Sequence, residues 1–343
     1  MSGNIRFKNA ISGTPQETPP IWFMRQAGRY HQHYQNLRKS HSFMELCKKP
    51  ELAAQVALGP VEDFDFDVAI LFSDILFPLE ALGMGLEYTD SGPRLGWQLT
   101  TETFGQLRSK DEALPGLLFQ KEAVVQTRKI LPTTKSLIGF IGAPWTLFTY
   151  AVQGRHEGAL ISAKTQLFLF RRFCEILVPL LKDNIQAQLD GGAELVMLFD
   201  TAAGELSPSL FNSLVVPEIE KLIKGFRGRI GYYAKSVNDQ HLSAKIFSDG
   251  SFAGLGFDHR WEIPNLLKTK MYSGFKQGSF DQALLFLEPE QFKIQLENYL
   301  KPFTNLSSKE RASWVCGLGH GVLPRTPEQN IRTFITTVRK TFK

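Results

Sequence analysis

Short apolar runs recur along this chain, each followed by a longer amphipathic stretch, and that rhythm leaves few architectures open. The runs are Pro20–Met24, Val68–Phe72, Leu137–Ile141, Leu195–Phe199, Ile230–Ala234, Leu255–Phe257, Gln277–Phe280 and Trp314–Leu318. Each is bounded by Gly, Pro or Asp, as strands of a parallel sheet buried on both faces should be. Between them, Phe43–Phe64 carries apolar residues at helical spacing. So does Gln166–Leu189, with Leu167, Phe170, Cys174, Leu177, Leu181 and Ile185 on one side. Ser207-Pro208 reads as a helix start before Leu210–Phe226, and Thr326-Pro327-Glu328 opens the last helix in the same way. Eight strands alternating with helices predict an α/β fold, a single (β/α)8 barrel of the TIM type over residues 1–343. A doubly wound sheet is the alternative. It would want a Gly-rich first turn, whereas the first run ends in Met24-Arg25-Gln26-Ala27-Gly28. Thr89–Gly116 has weak periodicity and reads as a long loop or small excursion.

Composition narrows the partners. A chain of 343 residues with 43% hydrophobic residues buries enough surface to need no staple. The net charge of +5 is spread without a long Lys/Arg run, so no nucleic-acid partner is expected. The surplus is either a bare basic surface or a preference for an anionic small molecule. Cys47, Cys174 and Cys316 are too few and too scattered for a disulfide framework or a Cys-rich zinc site, and fit a reducing, cytoplasmic setting. Met1–Ile11 has no following apolar core and does not read as a signal peptide. From Ser136 to Gly154 nineteen residues carry no charge, but Pro144 would break a membrane helix near its middle. A buried strand turning into a helix is expected there. No membrane partner is expected.

Familiar cradles are absent. There is no G-x-x-x-x-G-K-[ST], H-E-x-x-H or G-x-S-x-G. Gly317-Leu-Gly319-His-Gly321 looks superficially like a dinucleotide loop but has no βαβ unit after it. His31 and His33 lack a Cys or carboxylate at ligand spacing and are read as exposed structural histidines.

In a barrel of this type the C-terminal strand ends carry the chemistry. Arg25 and Arg29 follow the first run; four apart, they would share one side of a helical turn and hold carboxylates. A surface ion pair is the plainer reading. Ser73 and Asp74 follow the second run. Asp74 is either the N-cap of a helix over Ile75–Leu82 or a cleft carboxylate offering acceptors to N–H groups, with Ser73 equally able to cap. Pro144, Trp145, Thr146 and, a turn later, Tyr150 follow the third, Asp200 and Thr201 the fourth, and His320 the eighth. Tyr150 reads as a core aromatic or a ligand hydroxyl, and Thr201 as a cap or a contact. His320 between glycines reads as a functional ring. Together the set suits an anionic ligand bearing N–H donors.

Five segments carry a resemblance. Trp22–Tyr30 (W-F-M-R-Q-A-G-R-Y) and Gly139–Thr146 (G-F-I-G-A-P-W-T) look like the two signatures of the uroporphyrinogen decarboxylase family. Phe72–Leu76 (F-S-D-I-L) resembles its aspartate motif, and Leu198–Pro208 and Leu318–Gly321 match in order and spacing. The resemblance implies a homodimeric (β/α)8 barrel that removes CO2 from the four acetates of uroporphyrinogen, giving coproporphyrinogen, with no metal or organic cofactor. It implies that Asp74 binds the pyrrole N–H groups and stabilises a protonated ring. Arg25 and Arg29 would grip carboxylates, one of them assisting proton delivery, and Tyr150, Thr201 and His320 would contact the acidic side chains. The chain departs from the family at Val152–His156, Phe257-Asp258-His259 and Gly278–Gln282, and activity is expected to survive. The rivals are a methyltransferase of the same superfamily, which needs a His/Cys zinc site, and a non-catalytic tetrapyrrole-binding paralogue.

Overall fold

A computed structural model of the protein describes residues 3–89, 92–155 and 158–343. The strands are β1 (Val68–Ile70), β2 (Glu87–Thr89), β3 (Gly92–Arg94), β4 (Ser136–Gly142), β5 (Val196–Asp200), β6 (Ile230–Ala234), β7 (Gly254–Gly256), β8 (Phe275–Phe280) and β9 (Trp314–Leu318). Seven of them form one sheet in the order β1-β4-β5-β6-β7-β8-β9. Every neighbouring pair is parallel and the order never reverses, so the doubly wound alternative fails. All seven burial patterns are uniform, as expected for strands covered on both faces. β2 and β3 form a separate antiparallel hairpin. It lies at the start of the weakly periodic stretch read as an excursion, of which residues 90 and 91 lie outside the described ones.

The first run departs from expectation. Pro20–Met24 makes a single parallel bridge, Ile21 to Cys316 of β9, and enters a turn at Met24. It fills the eighth position by splitting its bonds between the two free sheet edges. Cys316 N donates to Pro20 O at 2.9 Å on one side, and Asp67 N to Ile21 O at 3.0 Å on the other. Pro19 and Pro20 cannot donate to a ladder, which limits regular pairing here. The Asp67 side chain takes up the slack. Fully buried at the base of this seam, it accepts from Ile21 N at 2.8 Å, Asn4 Nδ2 at 3.0 Å, Arg6 Nη1 at 3.2 Å and Arg339 Nη2 at 3.0 Å. The barrel is closed by side chains where backbone pairing is thin.

The helices follow the sequence pattern with three changes. Phe43–Phe64 splits into Phe43–Lys48 and Pro50–Phe64, because Pro50 pushes Lys49 to extended backbone (φ −93°, ψ 108°). Gln166–Leu189 is present as Leu167–Asp190. The segment after Ser207 begins at Pro208, with Ser207 Oγ accepting from Leu210 N, passes through a π turn at Phe211–Val215 and stops at Ile223, short of Phe226. The uncharged stretch Ser136–Gly154 is β4 followed by a helix at Pro144–Gln153, with Pro144 in its first turn. Among the described residues no helix is long and apolar enough to cross a membrane.

Candidate active site

The C-terminal ends of seven parallel strands share one end of the barrel, and the predicted site residues collect there. Arg25 and Arg29 are not on a helical turn: Met24–Arg25 and Arg29–Tyr30 are separate tight turns. Arg25 has φ 58°, a left-handed conformation that costs a side-chain-bearing residue about 1 kcal/mol or more. Its neighbour Gln26 holds it there. Buried Gln26 accepts from Phe23 N at 3.1 Å and donates to Val68 O at 2.9 Å, while Tyr30 hydroxyl donates to Gln26 O at 2.6 Å. The consequence is an exposed Arg25 whose aliphatic stem crosses the end of β9, where a Cβ on Gly321 would collide with it. Arg29 is also exposed and lines a surface cavity of about 300 Å³ with Tyr34, Gln35, Arg38 and Lys39. Three cations therefore border one hollow. Tyr34 ties this rim to the second strand end by packing on Phe72 with ring centroids 5.7 Å apart.

Asp74 lies past the end of β1, half-buried. It is not the cap of a helix over Ile75–Leu82; only Phe77–Leu79 is α-helical, and it continues as a π turn at Glu80–Met84. Asp74 Oδ1 instead accepts from Leu76 N at 2.9 Å, two residues on, in a local turn. Ser73 does not compete for this role, because its Oγ accepts from Gln120 Nε2 at 2.7 Å. That bond begins a buried polar file. Asn184 donates to Gln120 at 2.8 Å, and Gln188 exchanges bonds of 2.9 and 3.1 Å with the Phe140 backbone of β4. Burial pushes the Asp74 carboxyl above the ordinary range; the Leu76 N–H, the Tyr88 hydroxyl and the Arg25 guanidinium pull back against it. Tyr88 comes from the β2–β3 hairpin, seated by a ring contact with Phe43 at 4.4 Å. Its hydroxyl lowers Asp74 without reaching hydrogen-bond geometry to any described residue. Asp74 is thus an acceptor with unmet demand for positive charge.

Tyr150 and Thr201 come from adjacent strand ends. Tyr150 sits two turns into the helix Pro144–Gln153 and is half-buried, and Gly154 N donates to its carbonyl at 2.7 Å where the helix ends. Thr201 follows β5 directly, half-buried; the cap of the following helix is Ser207, so Thr201 is not needed for that. Beside it, Asp200 points away from the solvent. Thr146 hydroxyl donates to it at 2.7 Å and Tyr232 hydroxyl at 3.0 Å, and Thr146 Oγ1 in turn accepts from Ala202 N at 3.1 Å. Asp200 is completely buried, and burial raises its carboxyl to about 6. It braces the β4 and β5 ends against each other.

His320 closes the set. Its ring stacks on Tyr233 of β6 with centroids 5.9 Å apart and planes 12° from parallel, and its Nδ1 is 3.1 Å from the Tyr233 hydroxyl. That hydroxyl also lies 2.8 Å from Gly319 O. Gly319 is small because the His259 backbone abuts it. The electrostatic field of Arg25 reaches both Asp74 and Tyr233, the phenol beside His320. Tyr88, Tyr233 and Gln26 were not among the expected residues. The one available signal for Tyr233 was its position next to last on a strand that ends at the site.

The described parts of the divergent segments are held by their own hydrogen bonds. Asp258, buried after β7, accepts from Ser236 N at 2.7 Å and Arg260 Nη1 at 2.7 Å. At the end of β8, Tyr299 hydroxyl accepts from Ser279 N at 3.0 Å and donates to Gly278 O at 2.8 Å. Of Val152–His156, Val152 and Gln153 finish a helix, and His156 lies outside the described residues. His31 corrects another expectation. It is buried rather than exposed, its Nε2 2.7 Å from Asp63 Oδ2, because the tertiary fold brings a helix from thirty-two positions away against it. Its role is still structural. Among the described residues no group of three or more His, Cys, Asp or Glu side chains is placed to hold a metal ion, and the three cysteines are free, buried and apart.

The chain is 33% identical to a uroporphyrinogen decarboxylase of Pseudoalteromonas atlantica, with 98% of this chain and 96% of that protein covered. It is 32% identical to one of Citrifermentans bemidjiense, with 98% of each covered. Among solved structures, a methyltransferase from Methanosarcina mazei superposes over the full length of both chains with a TM-score of 0.76 at 16% identity, which shows a shared fold and no more. The family model described as uroporphyrinogen decarboxylase (URO-D) matches residues 2–341, and the chain belongs to that family.

Proposed function

We propose that this protein decarboxylates the four acetate side chains of uroporphyrinogen to give coproporphyrinogen, in the cytoplasm, as one barrel domain that pairs into a homodimer. The observation that carries the reading is Asp74: a carboxylate held above its ordinary pKa at a strand end, with one local N–H bond and an arginine across from it. Such a group gains most from a ligand that brings N–H donors and positive charge, as a macrocycle of pyrroles does.

The chemistry divides among the chain's own residues. A pyrrole protonated on carbon is an electron sink. The acetate C–C bond breaks, its electron pair flows into the ring, CO2 leaves, and the exocyclic carbon then takes up a proton as the ring loses one. Asp74 accepts the central N–H groups and stabilises the cation in a cleft where low dielectric strengthens the attraction. Arg25 and Arg29 grip carboxylates, each charge-assisted hydrogen bond contributing roughly 1.5–3 kcal/mol, and one of them assists proton delivery. Tyr150, Thr201 and His320 contact the acidic side chains. Holding the macrocycle by its rim lets one centre act on each acetate in turn.

Incubation with uroporphyrinogen, followed by counting product carboxylates, tests this directly. Loss of four carboxylates is expected. Asp74→Asn should still bind the tetrapyrrole while kcat falls roughly 100- to 1000-fold, the scale of losing one preorganised electrostatic contact. Wild-type turnover in Asp74→Asn would remove Asp74 from its assigned role. Binding without any decarboxylation by the wild type would favour the non-catalytic paralogue.

A further inference from the structure

We propose that Tyr233 is a positioning residue that holds His320 as its Nδ1–H tautomer, so that His320 grips a substrate carboxylate only as the imidazolium. The second half rests on the reading of His320 as a carboxylate contact.

The argument is a count of protons. The Tyr233 hydroxyl has one. Its neighbour at 2.8 Å, Gly319 O, is a carbonyl and can only accept, so the hydroxyl proton is committed there. What the hydroxyl oxygen has left is a lone pair. His320 Nδ1, 3.1 Å away, must therefore supply the hydrogen. The ring is held in that orientation by stacking on the phenol at 12°. Burial above all, with Asp258 adding to it, lifts the Tyr233 phenol well above its ordinary range, and Arg25 and Arg260 only partly offset this. The phenol therefore stays a neutral hydroxyl at any working pH.

A neutral Nδ1–H imidazole carries a lone pair on Nε2, which repels a carboxylate; only the doubly protonated ring offers an N–H there. Among the described residues, charged groups that face the pair come from two segments. Arg25 stands over Gly321 from the first turn, and Asp258 and Arg260, ion-paired at 2.7 Å, come from the segment after β7. His259, between those two, has its backbone against Gly319. Binding of the carboxylate then takes up a proton at His320.

Nitrogen-resolved NMR of the histidine rings reads the tautomer without substrate, His320 being assigned from its loss in His320→Gln. At pH above the His320 transition the wild type is expected to show Nδ1–H. Tyr233→Phe, which keeps the ring stack, should shift the population toward Nε2–H. Tyr232→Phe, one residue away on the same strand, should not. In steady-state assays wild-type KM should rise by up to about tenfold per pH unit above that transition, with a much flatter rise in Tyr233→Phe. Neutral wild-type His320 as Nε2–H overturns the proposal, as does an unchanged tautomer in Tyr233→Phe. If the tautomer behaves as stated but His320→Gln leaves KM untouched, the carboxylate contact fails and the proposal fails with it at that half alone. Absence of any reaction with uroporphyrinogen leaves the NMR result to stand or fall independently.

Discussion

Asp200 at the end of β5 and Asp74 past the end of β1, with β4 between the two strands, show how two carboxylates at one end of the sheet acquire different environments. Asp200 is sealed from solvent and accepts two hydroxyls, and burial moves its carboxyl from the ordinary 3.8 to about 6. A displacement of that size is worth on the order of 3 kcal/mol. The sign follows from proton binding. The folded state holds this proton more tightly than the unfolded chain, so the stabilisation is present below pH 3.8 and lost as pH rises through about 6. Asp200→Asn, which mimics the protonated form, should flatten the dependence of the urea unfolding midpoint on pH between 4 and 7. An unaltered slope would show that Asp200 is not the group titrating there. That Asp74, Arg25, Arg29 and His320 follow the apolar runs at one end of the sheet was legible from the sequence, because position after each run names them. Tyr233 was not, since a tyrosine in an apolar run looks like core until its hydroxyl partner is known; Tyr88 was not, since it sits in a polar hairpin far in sequence from any strand end of the sheet. His31 was misjudged because its partner Asp63 is remote in sequence.

At the scale of elements, the seam between β9 and β1 is the weak join of the barrel. Backbone pairing across it runs through Pro20–Met24 and one bridge. Buried Asp67 binds that segment, the N-terminal helix through Asn4, and the last helix through Arg339 at 3.0 Å. Removing the carboxylate leaves Ile21 N and Asn4 Nδ2 short of an acceptor and the part-buried Arg339 guanidinium with Asp65 alone. Asp67→Ala should cost about 3–5 kcal/mol of stability, the range for breaking a buried charged pair, read as a lowered denaturant midpoint. Because Asp67 lies at the opposite end from the candidate site, kcat at low temperature should change little. The strand rhythm in the sequence located the seven strands of the sheet, with Ile230–Ala234 and Trp314–Leu318 matching to the residue, while the first run, Pro20–Met24, makes one isolated bridge in place of a strand. Which edge the first run pairs with, and how thinly, depended on contacts between residues some three hundred positions apart.

At the scale of the whole molecule, the barrel is shared with a methyltransferase, so fold cannot separate the two chemistries. The side chains can. With Cys47, Cys174 and Cys316 buried in separate places, no thiolate site for zinc is assembled among the described residues. Activity is therefore expected to persist in excess chelator, and elemental analysis of purified protein should find substoichiometric zinc; stoichiometric zinc would point to the methyltransferase reading. Sedimentation should give a particle of about twice the 38.7 kDa chain mass if the protein pairs as its family implies.

The sequence by itself determined the strand rhythm, the barrel class and most of the groups at the strand ends, because these depend on local periodicity and on residues adjacent to each strand. Tertiary structure decided what those groups are able to do. Burial set Asp200 apart from Asp74, a left-handed turn held by Gln26 aimed Arg25 over β9, and a phenol from β6 dictated which nitrogen of His320 carries its proton. Electrostatics and hydrogen-bond direction depend on distances across the barrel, and those exist only once the sheet has closed.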